Sequence, residues 1–163
     1  MKPRSTSAFR ALAALSAVLL TVPPVCAAEE DDVKATFTAF QAALKAADPD
    51  KLWALLDATT QADAAQYAEK VRASYANAND DERAKLEKAF GLSADEMSKI
   101  TGKLYLKAKP VLGKYREVPG SKIDKVTVEG DKATVHYTED DGDKETLPLV
   151  KQDGKWRLSV AVK

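Results

Sequence analysis

Apolar residues recur at helical spacing over residues 31 to about 109, and at every second position from Val126 onward. The first regime opens with Val33, Phe37, Phe40, Leu44 and Ala47. Their spacings of three and four put them on one helix face, while Lys34, Gln41 and Lys45 fall elsewhere. Asp48-Pro49 predicts an end and a restart, because aspartate caps exposed amides and proline fits the first helical position. Leu52, Leu55 and Leu56 form the buried stripe of the short second helix. A third helix is expected over residues 62–76 with Ala68, Val71 and Tyr75 inward, and Asn77-Ala78-Asn79-Asp80 is a second stop and restart. The fourth, over about residues 81–90, turns Leu86, Ala89 and Phe90 inward and ends on Gly91 in the left-handed region. Ser93 with Glu96 spells a capping box, opening a helix whose apolar face is Met97, Ile100, Leu104 and Tyr105.

Pro110, Gly113 and Val118-Pro119-Gly120 mark a loop, after which the period becomes two. Val126 and Val128, then Ala133, Val135 and Tyr137, then Leu147 and Leu149, then Trp156, Leu158 and Val160 read as four half-buried strands. The segments between them, at Gly130, Gly142 and Gly154, each carry the glycine that a tight turn with positive φ needs. An antiparallel meander follows. Pro148 cannot donate to a ladder, so its strand is expected at an edge or bulged there. One apolar face on the sheet and one on each helix are satisfied together if the helices pack on one side of the sheet, an α+β fold. Lys125, Thr127, Thr134, His136, Thr138, Arg157 and Ser159 should then face water, with no acidic residue on the apolar face of any strand.

The first 28 residues follow a different logic. Lys2, Arg4 and Arg10 precede an apolar run over residues 11–22, and Pro23-Pro24 breaks it. This is the layout of an export leader, with Val25-Cys26-Ala27-Ala28 as the cleavage region and Ala28 as the last residue removed. The competing reading, lipidation of Cys26, lacks the small residue normally placed just before that cysteine. The organisation expected is a signal peptide over 1–28 and one domain over 29–163, periplasmic or extracellular. The apolar run is shorter than the ~20 residues of a membrane span, and nothing later is comparable. Cys26 is the single cysteine, so stability must come from packing rather than from an intramolecular disulfide. The chain carries 25 basic and 25 acidic residues, and loss of the three basic residues of the leader leaves 22 against 25. A mildly acidic domain does not suit nonspecific nucleic-acid binding.

The residue inventory narrows the chemistry further. His136 is the only histidine, so neither a histidine or cysteine metal site nor a Cys-His dyad can be assembled within one mature chain, and no metal or cofactor is expected. Walker and dinucleotide loops are missing from the sequence. A triad through Ser121 or Ser159 would need His136 to leave the exposed side of its strand. The acidic hairpin Glu139-Asp140-Asp141-Gly142-Asp143 is too short for a calcium loop and reads as a solvated tip. Lys99, Lys103, Lys107, Lys109, Lys114 and Arg116 are the densest basic tract, read as a solvated helix face rather than an anion site. Trp53, Tyr67, Tyr105, Tyr137 and Trp156 are the candidate ligand-binding residues, with core packing as the competing role.

The opening helix, the break and restart through Ala46-Ala47-Asp48-Pro49-Asp50-Lys51-Leu52-Trp53, and the closing strands ending in Gly154-Lys155-Trp156-Arg157-Leu158 resemble the nuclear transport factor 2-like superfamily. That resemblance implies a curved sheet wrapped by helices around a pocket. It is similar in layout to isomerase-like and cyclase-like enzymes, binding modules and small secreted proteins alike. The expected role is a noncatalytic binding or accessory domain whose partner is a small apolar molecule or an envelope protein. The alternative is a cone-fold isomerase, cyclase or hydrolase-like enzyme using a buried carboxylate and a tyrosine.

Overall fold

The computed structural model describes residues 24–161, in which helices α1 (Pro24–Lys45), α2 (Pro49–Leu55), α3 (Ala58–Asn77), α4 (Asp80–Phe90), α5 (Ala94–Ser98), α6 (Gly102–Tyr105) and α7 (Lys109–Lys114) precede four strands. Most of the expected leader, residues 1–23, lies outside the described residues. Val33, Phe37, Phe40 and Leu44 are buried on α1 as their spacing requires. Ala47 departs from that face: it is exposed at φ 47°, and Ala43 is buried instead. The helix closes there through the Asp48 N–H, which donates to the Ala43 carbonyl at 3.0 Å. Asp48 then caps α2, its carboxylate accepting from the Asp50 and Lys51 amides at 3.1 Å each.

The helix starts follow caps that periodicity alone does not show. α3 begins at Ala58, four residues before the expected 62, because the buried Asp57 accepts the Thr60 N–H at 2.7 Å. α4 starts on a reciprocal pair, Asn79 with Glu82, and ends as expected on Gly91 at φ 67°. Its Ala89, expected inward, is exposed. Ser93 and Glu96 do form their capping box, yet the helix they open stops at Ser98. The chain restarts at Thr101, whose hydroxyl accepts the Leu104 N–H at 3.2 Å. This break brings Gly102 backbone to backbone with α3, so close that a Cβ there would lie 2.7 Å from the Ala65 nitrogen. The expected loop over residues 110–120 also holds local order, in α7 and in a 3₁₀ turn at Val118–Gly120.

Strands β1 (Lys122–Glu129), β2 (Lys132–Thr138), β3 (Lys144–Gln152) and β4 (Lys155–Leu158) form an open antiparallel sheet in chain order. Asp153 and Gly154 turn β3 into β4 with φ of 50° and 72°, the signs of a type I′ hairpin. Val126, Ala133, Val135, Tyr137, Leu147, Leu149, Trp156 and Leu158 are buried beneath the helices, so the register is the expected one. His136 lies on the opposite face between Lys125 and Thr146, half-buried rather than fully exposed. α1 crosses the inner face, where Phe37 meets the Tyr137 ring at 5.2 Å. Gln41, off the apolar stripe, donates from Nε2 to the Val118 and Ser121 carbonyls at 2.9 Å and pins α1 to the entry of β1.

Pro148 sits in a strand with neighbours on both sides, and its place within that strand resolves the expectation of an edge. β3 pairs with β2 from Lys144 to Val150, but with β4 only from Leu149 onward. The Pro148 carbonyl accepts the Ser159 N–H at 3.0 Å, the last bond on that side. Because N–H and C=O of one strand residue point the same way, the missing donor falls where β4 ends and β3 becomes an edge.

Candidate functional site

The pocket implied by a cone-shaped fold, between sheet and helices, is filled by side chains here. The void under the sheet among Phe40, Leu44, Leu52, Leu56, Leu106, Val111, Tyr115 and Val160 measures about 10 Å³, at the lower limit for a single water. The five candidate aromatics do not converge on one cavity. Tyr67 and Tyr105 are brought together at 5.0 Å between α3 and α6, with Phe90 6.1 Å from Tyr105. Trp53 packs partly buried against the core from α2. Trp156, 5% exposed, lies in β4 beneath the Lys151 ammonium, which stands 5.6 Å from its ring and is held by Glu29 at 2.6 Å. The Trp156 indole Nε1 is buried without a hydrogen-bond partner among the described residues. It borders a groove of about 400 Å³ between α1, the end of α2 and the β3–β4 turn.

Tyr137 alone of the five lines a polar cleft. This cleft, about 390 Å³, opens at the end of the sheet where β4 stops, and Lys114, Tyr115, Tyr137, Glu139, Glu145 and residues 146–148 and 159–161 line it. Strand geometry explains the grouping. Tyr137 points inward on β2, Glu145 is its cross-strand partner on β3, and Glu139 continues the inward row two residues on. At this end the helices no longer cover the row, so apolar side chains give way to carboxylates. Tyr115 enters from the end of α7, its ring edge against Phe40 at 5.6 Å, and donates its hydroxyl to the Ala161 carbonyl at 2.9 Å. The Lys114 ammonium donates to the same carbonyl at 2.9 Å and stands 5.8 Å from the Tyr115 ring.

Two carboxylates, Glu139 and Glu145, share the cleft lining with one ammonium, Lys114. Burial, reinforced by Asp141, Glu145, Glu117 and Asp143, holds the Glu139 carboxyl above the usual glutamate range. Burial, with Glu139, Glu145 and Tyr115 adding to it, pushes Tyr137 up to about 12. Burial likewise takes Tyr115 to about 12. The Tyr137 ring is buried, while its hydroxyl, without a hydrogen-bond partner among the described residues, opens to the cleft. The expectation that no acidic residue shares an apolar strand face therefore needs correction at Glu145, which lies within β3 on the inward parity. Extending the alternation of Leu149 and Leu147 by one step reaches it, and the same step from Tyr137 reaches Glu139.

The other sequence candidates resolve differently. The basic tract is internally paired: Lys99 with Asp95 at 2.5 Å, Lys103 with Asp50 at 2.7 Å, Lys107 with Glu96, Lys109 with the Lys88 carbonyl, and Arg116 with Glu117. Lys107, followed by the amide and hydroxyl of Ser93, draws Glu96 down to about 2. Ser121 donates its hydroxyl to the Val118 carbonyl at 2.8 Å and accepts from Gln41, which commits it to structure rather than to His136. In the acidic hairpin Asp141 accepts the Asp143 N–H at 3.1 Å, and among the described residues no three carboxylate, histidine or cysteine groups converge as metal ligands. No helix among these residues is long and apolar enough to cross a membrane. The chain matches no protein-family model, no curated protein and no solved structure.

Proposed function

We propose that this chain is an exported, noncatalytic binding or accessory domain whose partner is an envelope protein, engaged at the open end of the sheet. The observation that carries the binding reading is the cleft of about 390 Å³ into which Tyr137 presents a hydroxyl with no partner among the described residues, in a lining shared with Glu139 and Glu145. The hydroxyl is open to the cleft, and an occupant that accepts from it gains a directed hydrogen bond. The filled interior leaves a small apolar molecule no room in the core, which favours the protein partner over the small-molecule one. Export rests on the leader pattern from Lys2 to Ala28. The nuclear transport factor 2-like layout supports a scaffold that presents such a surface, and fold alone assigns no activity.

The cone-fold enzyme is the second reading, favoured by the same Glu139 and Tyr137. A carboxyl with raised proton affinity beside a phenol is what general acid–base work requires. A thermal-shift screen of metabolites, followed by amide chemical-shift mapping, separates the two. Shifts confined to residues 137–148 and 159–161 with the compound recovered unchanged support binding. Chemical conversion that is lost in Glu139→Gln supports the enzyme, and no perturbation of the cleft by any compound or envelope extract overturns both. Intact mass of the envelope form tests export: a species beginning at Glu29 is expected, and one retaining an acylated Cys26 would sink the cleavage assignment.

A further inference from the structure

We propose that the free edge of β3 at Lys144 and Thr146 takes an extended, basic segment of a partner protein as a fifth strand; this rests on the binding reading above. At Leu149 and Val150, β3 is paired on both sides, whereas from Lys144 to Leu147 only β2 accompanies it among the described residues. The Pro148 carbonyl faces the β4 side, where it meets the Ser159 N–H. Residues two apart in a strand point their backbone groups the same way, so the N–H and C=O of Thr146, in the cleft lining, and of Lys144 beside it face away from β2 without a strand partner among the described residues. Such a row of unpaired donors and acceptors is a template for another strand.

The two edges of the sheet are treated differently. β1 is broken by a bulge at Asp124 between Ile123 and Lys125, a device that discourages pairing, and α1 packs against it. β4 is covered on its outer side, where Leu56 bridges Leu158. Among the described residues the stretch before Pro148 has neither bulge nor strand cover, and the cleft beside it leaves space for a chain. Pro148 fixes where the added strand must stop, since β4 resumes the pairing beyond it.

Charge selects the occupant. Inward residues of an added strand would meet Glu139, Glu145, Tyr137 and Tyr115, and the Lys114 ammonium in the same cleft already bonds to the Ala161 carbonyl. A lysine or arginine at alternate positions of the incoming segment would pair with Glu139 and Glu145 and would lie against tyrosine rings. An acidic or purely apolar segment would gain neither.

A fluorescein-labelled hexapeptide alternating threonine and lysine is the probe, titrated by fluorescence polarisation at low salt with amide exchange followed by NMR. Binding is expected together with protection of the Thr146 and Lys144 amides. N-methylation of one alternate set of peptide amides should weaken binding at least roughly tenfold, and methylation of the other set should be tolerated, because only one set faces β3. Glu139→Gln with Glu145→Gln should weaken it about fivefold or more, and the threonine–glutamate peptide should not bind. Equal binding of both methylated peptides, or no protection at Thr146, overturns the added strand. If the hexapeptide fails while putrescine still shifts Tyr137 and Glu139 resonances, the strand is wrong and the binding cleft stands. Failure of both removes the cleft reading as well.

Discussion

The two ends of β3 face the same side of the sheet and meet opposite fates. At one end Leu149 to Gln152 is clasped by β4, Trp156 is buried, and the edge is sealed where Leu56 bridges Leu158 and Asp57 donates its N–H to the Leu158 carbonyl at 2.9 Å. At the other end Lys144 to Leu147 has no second neighbour, and its inward row changes from leucine to glutamate. A single residue, Pro148, stands between them. The difference shows how one strand serves as core and as accessible edge: removing one donor ends the ladder, and a change of side-chain polarity at constant parity ends the burial.

The largest expected effect is at the closed end. Trp156→Ala should cost about 3–5 kcal/mol in urea denaturation, because it removes a side chain only 5% exposed from a packed interior. Trp156→Phe should cost under about 1.5 kcal/mol, since it also removes the orphaned indole donor. An unchanged denaturation midpoint in the alanine variant would mean that this end is not core. Next comes the cap of α3 beside the edge seal. Asp57→Ala should lose about 1–2 kcal/mol through the uncapped Thr60 amide, with increased exchange at the start of α3 and little change at Thr146. Equal loosening at both ends would erase the distinction drawn between them.

The smallest effect belongs to the open end and depends on pH. Glu139 binds its proton more tightly in the folded chain, so its contribution to stability is full below the ordinary glutamate pKa of about 4.3 and is lost as pH rises through the higher folded value. Glu139→Gln should therefore match the parent in acid and melt on the order of 1 °C higher at pH 7. A variant that melts lower at pH 7 would show that the ionised carboxylate has a stabilising partner, and would remove the case for a site awaiting a cation.

Much of the molecule was legible from local pattern. The face of α1, the restart at Asp48-Pro49, the left-handed stop at Gly91, the capping box at Ser93 and the sheet register all follow from interactions within a few residues. Errors gathered where distant contacts decide. The break before Gly102 depends on α3 passing within van der Waals reach, and the early start of α3 depends on Asp57, which is fixed at the same time by Leu158. Among the candidate site residues, alternation placed Tyr137 and Trp156 inward but could not show which one meets the open cleft. Glu139 and Glu145 lie one alternation step beyond the last apolar member of each row, where polarity no longer marks the inward face.

The sequence by itself determined an α+β chain of helices followed by an antiparallel meander, because period, caps and turn glycines act over one or two turns of chain. It determined which strand face is apolar, since side chains alternate by geometry. Only the tertiary structure decided where the cover of helices ends over that face. That boundary is set by how far α1, α7 and the closing residues 159–161 reach across the sheet, a matter of packing between segments far apart in sequence.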